Sequence, residues 1–182
     1  AAILAVKMGN PGAARDLLEG VLTEDPGHAA AVEGLVRLYK ANDDTLRALR
    51  VLEGRVEAIS GEERHALLCE IAETYEQELD KLADAERSYR LVLKENPKHL
   101  DALRGLDRIL TRGGRYAELV DVLREEVDLA VTARQKIALY ERIAGVYDEE
   151  FIDHKQAAET LETVLGLDPH RASAGTDLAR HY

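Results

Sequence analysis

The sequence predicts an all-α solenoid in which antiparallel helical hairpins stack along the chain. Thr-Glu-Asp-Pro at 23–26 is echoed by Lys-Glu-Asn-Pro at 94–97 and Gly-Leu-Asp-Pro at 166–169, and the prolines stand 71 and 72 residues apart. Apolar residues recur at helical spacing between short breaks, and no alternating β-branched run indicates a strand. Such self-similarity is typical of solenoids, in which each unit buries its apolar face against its neighbours.

The helical spacing predicts a succession of helices separated by short connections. They span 13–25, 29–41, 45–59, 63–79, 82–95, 99–112, 115–130, 133–150, 154–167 and 171–182. The breaks carry turn residues, such as Asn10-Pro11-Gly12 and Gly113-Gly114. Ser60, followed three residues later by Glu63, predicts a capping box at the fourth helix. Because the connections are two to five residues long, consecutive helices should be antiparallel neighbours.

The helices alternate between two residue patterns. The first helix of each hairpin carries an apolar anchor, and the anchors advance by 36, 35, 37 and 35 residues: Leu35, Ile71, Leu106, Ile143 and Leu178. The second helix carries a small or apolar residue four positions before a bulky one: Ala14/Leu18, Ala48/Leu52, Ala85/Tyr89, Leu119/Leu123 and Ala157/Leu161. Most of these small residues would let two helices approach closely, and proline after the second helix would end it.

Over essentially the whole chain this arrangement resembles the tetratricopeptide repeat, with its W-x2-L-G-x2-Y, A-x3-F and P signature. The resemblance implies a right-handed superhelix of about five hairpins plus an unpaired terminal helix. One domain over residues 1–182 is expected, with approximate units 1–27, 28–61, 62–98, 99–132, 133–169 and an incomplete 170–182. Asp107 departs from the pattern, because it stands where a small residue belongs.

Charge and composition restrict the classes of partner and of site. The net charge of −11 disfavours a nucleic-acid surface. No stretch approaches the roughly 18 apolar residues of a membrane span. The start lacks an initiator Met and resembles the tail of a helix, so we expect a fragment of a longer array. Localisation is unknown, with the cytoplasm favoured, and 17 arginines against seven lysines favour a GC-rich bacterial source.

The chain carries no motif that predicts catalysis. His28, His99 and His170 follow prolines, where they are expected to start helices, and no two of the six histidines have ligand spacing on one helix face. Cys69 is expected to be a packed thiol. The sequence contains no P-loop, G-x-G-x-x-G, H-E-x-x-H or calcium loop. We therefore expect no enzyme, no metal and no cofactor.

In the family that this chain resembles, the first helices line a concave groove, and three positions relative to each anchor are exposed. The corresponding partner-binding candidates are Glu33, Cys69, Arg104, Glu141 and Thr176; Arg37, Glu73, Arg108 and Arg180; and Lys40, Glu76, Thr111 and Asp148. Two interpretations stay open: a soluble surface with weak ion pairs, or a contact surface for a peptide or protein. No Asn occupies these positions, so the Lys/Asn clamp that some members use for a C-terminal carboxylate is not visible.

Two hypotheses follow. The first is a non-enzymatic scaffold that binds a peptide or protein segment in the groove, with Arg37, Arg108 and Arg180 projecting into it. The second is a structural segment of a longer array that serves self-assembly. A final helix with Ala174, Leu178 and Tyr182 would expose an apolar stripe, so weak self-association is expected.

Overall fold

A computed structural model of the chain describes residues 10–181, with side chains described through residue 180, and these residues form helices and no strand. The helices are α1 (Pro11–Glu24), α2 (Ala29–Lys40), α3 (Thr45–Val56), α4 (Gly61–Gln77), α5 (Leu82–Glu95), α6 (Leu100–Arg112), α7 (Tyr116–Leu129), α8 (Ala133–Glu149), α9 (His154–Leu167) and α10 (Ala172–His181). Every helix predicted from residue 13 onward is present. The predicted all-α fold is therefore confirmed.

The chain divides into two compact units, Ala1–Val92 and Leu93–Tyr182. Each unit consists of helices joined by connections of three or four residues, which makes sequential helices antiparallel neighbours. The first helix of the predicted first hairpin falls on residues 1–9, outside the described part of the chain. A single continuous domain over 1–182 and the handedness of its superhelix stay predictions.

In the first unit the predicted anchors form the core. Leu35 of α2 and Ile71 of α4 are each 1% exposed. Leu35 packs with Leu18 and Ala31, which joins α1 to α2. Tyr89, from α5, is also 1% exposed, as its place in the second-helix pattern predicts.

Tyrosines four residues after the anchors link successive hairpins. The Tyr39 hydroxyl donates to Glu19 Oε1 of the preceding second helix at 2.8 Å, and the Tyr75 hydroxyl donates to Glu53 Oε1 at 2.7 Å. Burial, reinforced by the hydrogen bond to Glu53, raises the pKa of Tyr75 to about 12. Two successive first helices, α2 and α4, thus make the same tyrosine–glutamate contact with the second helix that precedes each of them.

The second unit repeats the same packing. Leu106 and Ile143 are each 2% exposed, while Leu123 and Ala157 are fully buried. Its tyrosine link has another partner, since Arg124 donates to the Tyr147 hydroxyl at 2.9 Å. The predicted core positions are thus confirmed for the anchors through Ile143 and for the second-helix positions, while the last anchor, Leu178, is half-buried.

The terminal helix α10 is covered on its apolar side. Ala174 is fully buried in a cluster with Ile137, Ala144, Leu161 and Val164, and Leu178 packs against this cluster. The expected open stripe is therefore wrong for Ala174, which α8 and α9 cover, while Tyr182 lies outside the described residues. Self-association through this helix stays a prediction.

Helix starts confirm one sequence prediction and correct another. The imidazole Nδ1 atoms of His28 and His99 accept hydrogen bonds from the backbone of Ala31 and Ala102, so both histidines cap helices as expected. Ser60 precedes α4 but makes no capping bond through its side chain. The expected box is wrong because the Glu63 carboxylate instead pairs with Arg55 at the end of α3.

Candidate functional site

In the second unit, residues predicted for the groove line one surface cavity. Glu141 and Asp148 of α8 and Arg180 of α10 lie around a volume of about 490 Å³, together with Arg171 and Asp177. The equivalent spacing of the anchors on α8 and α10 brings these side chains to the same surface, because each helix begins a new hairpin. The cavity is polar and carries charges of both signs.

Glu141 is the most constrained of these groups. The Arg171 guanidinium donates two hydrogen bonds of 2.9 Å to its two carboxylate oxygens, and the Ser173 hydroxyl adds a third at 3.2 Å. The hydrogen bonds from Arg171 hold the pKa of the Glu141 carboxyl below its ordinary value, although partial burial acts in the opposite direction. This fork-to-fork pair joins the start of α10 to the middle of α8.

The stability that the Glu141–Arg171 pair contributes should depend on pH, and the pKa of Glu141 should depend on Arg171. An acid whose pKa is lowered by folding contributes stability above its unfolded pKa and loses it as the pH falls through the folded value. Arg171→Gln should therefore raise the pKa of Glu141 toward the ordinary glutamate range. Carbon-detected NMR titration of the Glu141 carboxyl measures this shift. An unchanged Glu141 pKa would show that Arg171 does not hold this carboxylate in solution.

Three further charged groups of the cavity, Asp148, Asp177 and Arg180, also have partners. Asp148 Oδ1 lies 2.7 Å from His154 Nδ1, and Arg180 pairs with Asp177 on its own helix at 3.0 Å. The Arg180 side chain is nevertheless 73% exposed. Its guanidinium can therefore exchange this weak intrahelical partner for a ligand at little cost.

Most of the remaining predicted groove residues are exposed. They are Glu33, Arg37, Lys40, Glu73, Arg104, Arg108, Thr111 and Thr176. Arg37 donates to Glu33 Oε1 at 2.6 Å within α2. Arg37 and Arg180 thus each pair with an acid of their own helix, because residues three or four positions apart are neighbours on a helix, and both side chains stay exposed. Partner binding by these side chains stays a prediction.

Two groove candidates are not accessible. Cys69 is 9% exposed and Glu76 is 7% exposed, so the expectation that they lie on the open surface is wrong. Glu76 is covered by α5, where the Tyr89 hydroxyl donates to its Oε2 at 3.5 Å. Cys69 is a buried free thiol, as its sequence context predicted.

Sequence reasoning missed a group of charged residues beside the groove, in which Asp107 and Glu126 are buried and Arg142 is half-exposed. Arg142 of α8 donates hydrogen bonds of 2.6 and 2.7 Å to both carboxylate oxygens of Asp107 on α6. Glu126 of α7 is 6% exposed, and burial, then the Asp107 charge, raises the pKa of its carboxyl. The departure of Asp107 from the small-residue pattern was the one sequence signal for this group.

The helices and their repeated anchors define an all-α helical repeat protein. Two family models described as tetratricopeptide repeat match residues 5–70 and 74–132, together more than half of the chain. The chain belongs to the tetratricopeptide repeat family. Its fold and family are typically those of non-catalytic scaffolds that bind other proteins. Within residues 10–181, no helix combines the length and apolarity needed to cross a membrane.

Solved structures share this fold at low identity. MamA from Desulfovibrio magneticus RS-1, from residue 41 onward, is 19% identical with a TM-score of 0.53, and the match covers 86% of this chain and 84% of that one. YrrB, described as a TPR protein with an unusual peptide-binding site, is 15% identical with a TM-score of 0.55, covering 100% and 89%. The comparison with curated proteins found no match.

Proposed function

We propose that the chain is a non-enzymatic scaffold that binds a peptide or protein segment on the groove surface of its first helices. The observation that supports this most is the cavity between α8 and α10, where Glu141, Asp148 and Arg180 converge. An extended segment could lie along this surface and meet charges of both signs. YrrB, which has the same fold and an unusual peptide-binding site, gives the proposal a precedent.

The physical basis of binding would be preorganisation. The described helices are fixed by buried anchors, so a partner would meet a surface that needs little ordering of its own. Arginine suits this surface because its planar guanidinium can bind a carboxylate of the partner through two hydrogen bonds. The net charge of −11 agrees with a polypeptide partner rather than a nucleic acid.

Charge reversal at the groove tests this proposal. A library of random linear peptides displayed on phage is selected against the immobilised chain, and the dissociation constant of a synthetic enriched peptide is measured. Arg108→Glu with Arg180→Glu should weaken its binding at least tenfold, about 1.4 kcal/mol. The thermal midpoint should change little, because both side chains are exposed.

Lys155→Glu is the matched control, since the Lys155 side chain is 83% exposed on α9 and the charge change is the same in sign. Its affinity for the peptide should equal that of the parent chain. If the double variant still binds the peptide but loses thermal stability, Arg108 and Arg180 stabilise the fold and do not contact the partner. A selection without binders, combined with concentration-dependent association in sedimentation, would favour the self-assembly hypothesis instead.

A further inference from the structure

The second unit contains a smaller pocket that is lined by a buried polar atom without a hydrogen bond from the described residues. This pocket, the Glu126 pocket, has a volume of about 250 Å³ and lies where α6, the end of α7 and the start of α8 meet. Glu126 is more than nine-tenths buried, and its Oε1 lacks a hydrogen-bond donor. A buried carboxylate oxygen without a donor is costly, so its position at the wall of a pocket needs an explanation.

The remaining wall of the Glu126 pocket is mainly apolar. Leu100, Leu129, Val131 and Leu139 contribute to it, and Val131 is 92% exposed at the turn between α7 and α8. Exposure of a valine to this extent leaves apolar surface that a ligand can cover. The pocket thus combines an apolar wall with one buried acceptor.

The charged groups around Glu126 do not donate to its Oε1. Asp107, on α6, adds negative charge near Glu126, and Arg142 of α8 is bound to Asp107 through both terminal nitrogens. Arg104, also on the pocket wall, is exposed to solvent. Arg142 therefore donates to Asp107 and not to Glu126, so a donor to Glu126 Oε1 can come from outside the chain.

We propose that the Glu126 pocket receives a lysine side chain of the bound peptide, with the ammonium donating to Glu126 Oε1 and the methylenes packing on Leu129, Val131 and Leu139. A lysine side chain has this amphipathic form, an apolar stem with a charged end. A single available oxygen suits the point charge of an ammonium better than the two-pronged guanidinium of arginine. This inference rests on the proposed function. Arg104, one of the predicted groove residues, also lines the Glu126 pocket, so the pocket lies next to the predicted groove surface.

The direction of the pH dependence follows from the same geometry. Burial raises the pKa of Glu126, Asp107 raises it further, and Arg142 and Arg104 partly offset these effects. A bound ammonium stabilises the ionised carboxylate, so at a pH below the pKa of Glu126 binding must release a proton. Affinity for a lysine peptide should therefore fall as the pH drops through that pKa.

The test uses synthetic peptides from the phage selection and the whole chain. In the parent chain, replacement of one peptide lysine by norleucine, which keeps the methylenes, should weaken binding at least tenfold. Glu126→Gln should weaken the lysine peptide equally, and the two changes together should cost no more than either alone. Glu126→Gln should also remove the loss of affinity at acid pH. The neighbouring Glu125→Gln removes the same charge from an exposed position of α7 and should leave affinity unchanged.

Each outcome of this test supports or overturns the proposed lysine pocket. Peptides that bind in the groove but are indifferent to both norleucine and Glu126→Gln overturn the lysine pocket and leave the proposed function standing. A selection that yields no binding peptide overturns both. Should Glu126→Gln unfold, the norleucine peptide still tests the inference on the unaltered chain, because it requires no protein variant.

Discussion

Replacement of Leu106 by Ala is expected to lower the free energy of unfolding by about 2–5 kcal/mol. Leu106 is the anchor of α6 and is 2% exposed, so its removal leaves a cavity inside the hairpin of α6 and α7. Urea unfolding followed by circular dichroism measures the loss. The effect should be large because each repeat of a solenoid packs only against its neighbours, so distant parts of the fold cannot compensate.

Leu167→Ala is the matched control for this substitution. Leu167 ends α9 in the same compact unit and is 40% exposed. Because much of its surface is already in water, truncation should cost about 1 kcal/mol or less. A loss below about 1 kcal/mol for Leu106→Ala would show that the assigned repeat register is wrong, whatever the result for the control.

Arg142→Leu should destabilise the second unit by about 1.5–3 kcal/mol at neutral pH. The substitution removes both hydrogen bonds to Asp107, whose side chain is 12% exposed, while a leucine keeps part of the aliphatic packing. It also leaves Asp107 and the buried Glu126 as neighbouring acids without the guanidinium that interacts with both. Thermal and urea unfolding both measure this change.

The deficit of Arg142→Leu should shrink as the pH falls, because burial already raises the pKa of Glu126 and its protonation removes one of the two neighbouring charges. Arg37→Leu provides the control, since the Arg37–Glu33 pair is 75% and 71% exposed. That substitution should change stability by no more than about 0.5 kcal/mol. Equal losses for the two variants would contradict a structural role specific to the Asp107–Arg142 pair.

The repeat register could be predicted from sequence because it depends on local periodicity. Leu35, Ile71, Leu106 and Ile143 recur at a nearly constant interval, and each is at most 2% exposed. The helix caps at His28 and His99 follow from the same repetition. Features that recur in every hairpin can be predicted from the sequence because each hairpin requires the same packing contacts.

Features that depend on one particular neighbour could not be predicted in this way. Glu76 occupies a groove position, but Tyr89 covers it. Glu63 leaves the expected capping box because Arg55 is within reach. The pair between Asp107 and Arg142 joins residues 35 positions apart. Which side chains pair across helices depends on their distance in the folded structure, and a single sequence does not give that distance.

The central claim is that a peptide binds on the first helices of the hairpins, and paramagnetic broadening tests it most directly. An enriched peptide that carries a nitroxide label is added to the isotope-labelled chain, and amide signal losses are measured by NMR. The strongest losses are expected in α8 and α10, around residues 141–148 and 176–180, with α9 residues 155–163 little affected. Losses concentrated in α9, with α8 and α10 unaffected, would contradict the central claim.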